Sequence, residues 1–233
     1  MSLGAVAVGK AVNMWEIYRH MGYQGNVPDA DVRALTEEVL DELLQAIEPK
    51  SIYKRFECAA EDGIVRLYDM ESKSLSIAAS SRNLADNLAG CRQAVIMAAT
   101  LGIGADKLLG RYELVNMAKA SIAQACGAEC IEAYCNLIQE EIKSNWADKE
   151  GLYLRPRFSA GYGDLALETQ KDIFSALECT KRIGLTLTQS LLMYPTKSVT
   201  AFIGLTADAG GCYSKSGGKC AACGNKGCEF RND

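Results

Sequence analysis

The chain has 233 residues, 48% of them hydrophobic and 23% charged, with a formal net charge of −4. That balance excludes a disordered chain and leaves room for one large domain or two small ones. No basic stripe marks a nucleic-acid binder, and no apolar run reaches the roughly 20 residues that cross a bilayer. The first ten residues place no basic segment before their apolar stretch, so no secretory signal is expected and the protein is assigned to the cytoplasm.

In chain order, residues 31–48 read as an amphipathic helix. Val32, Leu35, Val39, Leu40, Leu43, Leu44 and Ile47 keep the 3.6-residue period, Asp29 or Asp31 can cap it, and Pro49 stops it. Strand-like runs at 52–58 and 64–68 flank Glu61-Asp62-Gly63 and predict a hairpin. A short capped helix follows over 80–88, and the apolar run 94–99 predicts a buried strand. Residues 108–146 read as one long helix or two in sequence, with Ala118, Ile122, Ala125, Cys126, Glu129 and Ala133 near one stripe. A loop at 147–168 leads into a helix over 169–183, ended by Gly184. The runs 191–194 and 199–205 flank Pro195-Thr196-Lys197-Ser198 and predict a second hairpin. Helices and hairpins without regular βαβ alternation imply an α+β fold with a largely antiparallel sheet. The body is expected to span 1–205, followed by a Gly/Cys-rich tail at 206–233.

Ten cysteines accompany a single histidine, His20. Any His-based triad or metal site would rest on that one residue, which reads as structural or surface-exposed. Cys58, Cys91, Cys126, Cys130, Cys135 and Cys179 lie among apolar neighbours and are expected to be small core residues. Cys212, Cys220, Cys223 and Cys228 crowd the glycine-rich tail, where four thiolates could converge on one metal centre. Their spacing leaves an Fe–S cluster, structural zinc, and free thiols or disulfides open. Leu101-Gly102-Ile103-Gly104 invites a dinucleotide reading, but Lys107 stands where the third glycine is needed. The plain reading is a tight turn into a helix.

The segment Arg155-Pro156-Arg157-Phe158-Ser159-Ala160-Gly161-Tyr162-Gly163-Asp164 contains Arg-x-x-x-Gly-Tyr. Arginine offers a planar donor fork for a carboxylate. Glycines 161 and 163 let the backbone approach a flat ligand, and Tyr162 adds an aromatic face. Together these suit an amino-acid zwitterion joined to a heteroaromatic base.

Three motifs stand in register: Arg157 to Tyr162, then Gly184-Leu185-Thr186-Leu187-Thr188-Gln189-Ser190, then Met193-Tyr194-Pro195-Thr196-Lys197-Ser198-Val199. This order resembles the activation domain of cobalamin-dependent methionine synthase, which binds S-adenosylmethionine (AdoMet). Gly161-Tyr162-Gly163-Asp164-Leu165, Tyr18-Arg19-His20-Met21-Gly22-Tyr23 and Ala99-Thr100-Leu101-Gly102 resemble its stand-alone members. The resemblance implies that Arg157 clamps the AdoMet carboxylate. It places the Ala160, Gly161 and Tyr162 backbone on the adenine side, and Glu129 or Asp164 near the ammonium. It further implies reductive reactivation, in which cob(II)alamin on a partner takes an electron and then a methyl group from AdoMet. The partner would be a corrinoid protein such as methionine synthase or a related methyltransferase, and the electron donor a flavodoxin or ferredoxin. The chain has no Asp-x-His-x-x-Gly loop to supply a lower cobalt ligand, so cobalamin is expected on the partner. Two other readings stay open: a small metal or redox protein working through the Cys tail, and a methyltransferase acting on a small molecule.

Overall fold

The structure, a computed structural model, describes residues 3–23 and 25–210. The chain opens with helices α1 (Leu3–Ala11) and α2 (Met14–His20), neither expected from the sequence, and continues into α3 (Ala30–Ala46). Asp29 caps α3, its carboxylate accepting the Val32 N–H at 2.8 Å and so satisfying one of the donors that a helix start leaves over. Val39, Leu40, Leu43 and Leu44 are buried, as their period requires. Strands β1 (Lys50–Glu61) and β2 (Ile64–Asp69) form the expected hairpin. Its corner residues Asp62 and Gly63 both take positive φ, 51° and 74°, the conformation an Asp-Gly turn favours.

A strand not anticipated, β3 (Leu75–Ser80), extends that hairpin before α4 (Arg82–Asn87) and β4 (Gln93–Thr100). Helices α5 (Ile103–Val115) and α6 (Met117–Ile142) follow, and α6 runs on through a π-helical turn at Lys143–Ala147 into the short α7 (Asp148–Glu150). The long helical run is therefore two helices. They part at Asn116, whose extended backbone and side-chain oxygen cap α6 through the Lys119 N–H at 3.1 Å. The chain ends its described part with β5 (Tyr153–Leu154), α8 (Thr169–Leu177), α9 (Cys179–Ile183), β6 (Thr186–Leu187), β7 (Met193–Tyr194) and β8 (Ser198–Thr206). The single helix expected over 169–183 is broken at Glu178, which takes a left-handed φ of 51°.

The strands form one six-stranded antiparallel sheet in the order β3-β2-β1-β4-β8-β5. Strand β4 is buried on both faces, which explains why it reads as a continuous apolar run. Val95, Met97 and Ala99 meet α1, α3, α5 and α6 on one side. Ala94, Ile96 and Ala98 meet the core under α4, α8 and α9 on the other. This is the α+β architecture expected from the sequence.

The second predicted hairpin is not formed. Strand β7 pairs with β6 (Thr186↔Tyr194), while β8 pairs with β4 (Thr100↔Ser198 to Gln93↔Leu205). Burial decides this: Ala201, Phe202 and Ile203 are fully buried, and beside β4 the strand lies between two helical layers that cover both its faces. The turn between β7 and β8 is tied instead to the start of α5. Asp106 accepts the Thr196 N–H at 3.0 Å, and Ser198 Oγ donates to Thr100 Oγ1 at 2.8 Å. Gly104 has a packing role, since a Cβ there would lie 1.8 Å from the Ala46 carbonyl oxygen. Gly104 thus serves the close crossing of α5 on α3.

Cys91, Cys126, Cys130, Cys135 and Cys179 are buried free thiols and Cys58 is half-buried. Burial pushes the Cys126 thiol up to about 12, so it stays protonated and inert. Cys212, Cys220, Cys223 and Cys228 lie outside the described residues. Among the described residues no helix is long and apolar enough to cross a membrane.

Candidate functional site

The loop that carries Arg157 is set by a register shift. Leu154 pairs with Leu205, and Phe158 forms a bridge with Phe202. Residues 155–157 therefore oppose only 203–204, so one extra residue is inserted beside β8, a bulge of the kind that re-aims side chains. Pro156, which has no N–H to give a ladder, sits within it. Past the bulge, Phe158 packs with the core under α4 and α8, whereas Arg157 reaches α6 on the other side.

There the guanidinium is held by three residues at i, i+4 and i+7 of α6. Nη2 donates to Glu132 Oε2 at 2.7 Å, and Nη1 donates to Asn136 Oδ1 at 2.9 Å and Gln139 Oε1 at 3.0 Å. Only 11% of the Arg157 side chain is exposed. Gln139 is 1% exposed, and its Nε2 has no hydrogen-bond partner among the described residues. A buried donor left over beside a guanidinium is uncommon in a finished core and fits a place that receives an anionic group.

Beside Arg157 lies a cleft of about 260 Å³ lined by Glu132, Arg157, Phe158, Ser159, Tyr162 and Val199. The Tyr162 ring stands at this cleft and is 69% exposed. The bend beneath it closes on itself: Tyr162 N–H donates to the Ser159 carbonyl at 3.2 Å and Gly161 N–H to the Leu165 carbonyl at 2.9 Å. Gly161 takes φ +88°, a value that suits a residue without Cβ. Ala160 is 7% exposed, its methyl turned into the core under α8. A larger cleft of about 470 Å³, beside the β1–β2 turn and α4, brings together none of the binding or metal residues expected from the sequence.

The two acids suggested for the ammonium are placed differently. Asp164 accepts from Ser81 Oγ, from Arg82 N–H at 2.8 Å and from Asn83 N–H at 3.2 Å. The Ser81 hydroxyl, with these N–H groups, holds its carboxyl below the usual range. It fastens the loop to the start of α4 and does not line the cleft. Gly163 is needed for this junction, because a Cβ would lie 2.5 Å from Asn83 Oδ1. Glu129 faces α2, where it accepts the Asn13 N–H at 2.9 Å. It is 6% exposed, and burial pushes it up to about 7.

The acid at the cleft is Glu132, one helical turn further on. Sequence reasoning missed Glu132, Asn136 and Gln139. Their signal was a polar stripe at i, i+4 and i+7 on a helix whose neighbouring positions Ala133, Cys135 and Ile138 are buried.

Residues 31–213 match the family described as "Vitamin B12 dependent methionine synthase, activation domain". No curated protein matches the sequence. Among solved structures, the chain is similar to "Crystal Structure of the MetH Reactivation Domain bound to AdoHcy", with 14% sequence identity and a TM-score of 0.69. That likeness covers 88% of this chain and 77% of the other. With the family match spanning most of its length, the chain belongs to the activation domains of vitamin B12-dependent methionine synthase.

Proposed function

We propose that this chain binds AdoMet at the Arg157 cleft and serves as a reactivation module for a corrinoid carried by a separate protein. The observation that carries the reading is the fixed guanidinium over a cleft that also holds a carboxylate and an exposed aromatic ring. Arg157, oriented by Asn136 and Gln139, would take the amino-acid carboxylate in its donor fork. Glu132, already 2.7 Å from that guanidinium, would face the ammonium, the part first assigned to Glu129 or Asp164. At about 260 Å³ the cleft is smaller than the roughly 300–1,000 Å³ of whole-ligand pockets. It therefore suits the methionine end of AdoMet, with the adenosine lying across the Ala160, Gly161 and Tyr162 bend.

AdoMet supplies an electrophilic methyl group when bound. The residues of this chain orient it and exclude water, which is catalysis by proximity and needs no acid or base from the protein. Cys212, Cys220, Cys223 and Cys228 would hold an Fe–S cluster or zinc, and in the first case would pass on an electron from a flavodoxin or ferredoxin.

Incubation of the full chain with methyl-labelled AdoMet, a reductant and a corrinoid methyltransferase tests the reading. Label on the partner's corrinoid, dependent on this chain, is expected. Label on a free metabolite instead would make the chain a small-molecule methyltransferase. No AdoMet binding at all would leave the Cys tail as the working part.

A further inference from the structure

A second cluster of ligating side chains lies where α2 packs on α6, next to the Arg157 cleft but sharing no lining residue with it. Glu16 and His20 stand at i and i+4 of α2 and so project from one face of the helix. Glu129 of α6 faces them. One carboxylate oxygen from each Glu and one imidazole nitrogen lie within 4.8 Å of one another. We propose that Glu16, His20 and Glu129 form a binding site for one divalent first-row transition cation.

Three observations support this. The donor set of two carboxylates and one imidazole is of the mixed O/N kind that suits such ions. Bonds of about 2.0–2.2 Å to one ion bring donor atoms to roughly 3–4 Å apart, and the exposed His20 and half-buried Glu16 can close the remainder by side-chain rotation.

Second, Glu129 is 6% exposed, and among the described residues the Asn13 N–H is the one hydrogen bond its carboxylate accepts. No ion pair with Glu129 is formed among the described residues. A carboxylate that deep without a paired cation is costly, and a metal ion would supply the charge.

Third, neither nearby cation pairs with Glu129: Lys197 is held by Gln124, and Arg19 by Glu16. Arg19 and Glu16 are both half-buried where they pair, so an ion taking up Glu16 would displace the guanidinium from that carboxylate. Lys197 donates to the Gln124 carbonyl at 3.1 Å and to its Oε1 at 2.7 Å. Glu132 adds negative field at His20 and Glu129, against positive field from Arg19 at both.

Titration of the full chain with Mn²⁺, followed by loss of the free-ion EPR signal, tests the proposal, since the thiolates of the Cys tail have little affinity for this hard ion. One Mn²⁺ per chain is expected. Affinity should fall by at least about tenfold in Glu129→Gln, which keeps an acceptor for the Asn13 N–H, and in His20→Asn. His20 is exposed, so the second variant should melt like the wild type without metal and still bind the ion more weakly. A wild-type chain that takes up no Mn²⁺, or uptake that either variant leaves unchanged, overturns the proposal.

Discussion

Replacing Arg157 with lysine separates an anchored guanidinium from a merely positive one. The fork spans Glu132 to Gln139, seven residues or about 10 Å along the helix axis, and meets three acceptors at 2.7, 2.9 and 3.0 Å. A single ammonium cannot reach all three. Gln139, 1% exposed, would then keep both its amide oxygen and its Nε2 unpaired. An unpaired buried acceptor costs about 1–3 kcal/mol. The Glu132 pair, with 46% of the Glu side chain exposed, adds about 0–1 kcal/mol. The expected destabilisation for Arg157→Lys is therefore about 1–4 kcal/mol, which for a chain of this size lowers Tm by about 2–16 °C. Thermal melts of the full chain followed by circular dichroism measure it. A Tm within a degree of the wild type would mean that the guanidinium is not held by α6, and the reasoning about a fixed donor fork would fall.

Other expectations follow from the same geometry. Tyr162→Ala, at a side chain 69% exposed, should leave Tm nearly unchanged yet weaken S-adenosylhomocysteine (AdoHcy) binding by about three- to tenfold; an unchanged affinity would remove the ring from the site. Gly163→Ala forces a Cβ to 2.5 Å from Asn83 Oδ1 at φ +56°, and urea unfolding should report a loss of about 1–3 kcal/mol. Cys126, 0% exposed, should resist alkylation at pH 8 until the chain is unfolded in urea, as read by mass spectrometry. Because burial raises that thiol from 9.0 to about 12, the native state binds its proton more tightly than the unfolded state does. The resulting stabilisation is complete below pH 9 and is lost as pH rises from 9 towards 12, so urea midpoints should fall across that window.

Local signals predicted what local contacts build. Asp29 and the Val39-to-Leu44 period specify α3, and Asp62-Gly63 specifies the β1–β2 turn, each within a few residues. The β7–β8 expectation failed because four turn residues between two apolar runs also satisfy a hairpin pattern. The true partner of Ser198 is Thr100, about a hundred positions away, and only the need to bury β8 on both faces selects it. Helix α1 carries apolar residues almost all round, which leaves no period to read.

At the site, the arginine fork and glycine bend were legible because those residue types have few uses together. Which acid joins them was not. Glu129 and Glu132 are three positions apart on α6, and choosing between them needs the rotation of that helix against the loop. The one-residue bulge at 155–157 aims Arg157 at Glu132, and no residue type announces it.

Calorimetric titration of the full chain with AdoHcy tests whether the Arg157 cleft takes the amino-acid end of this ligand. One molecule bound per chain is expected, with affinity reduced at least about tenfold in Arg157→Ala, the loss of one charge-assisted contact. A wild-type chain that gives no binding heat and no protection against thermal unfolding at saturating AdoHcy would contradict it.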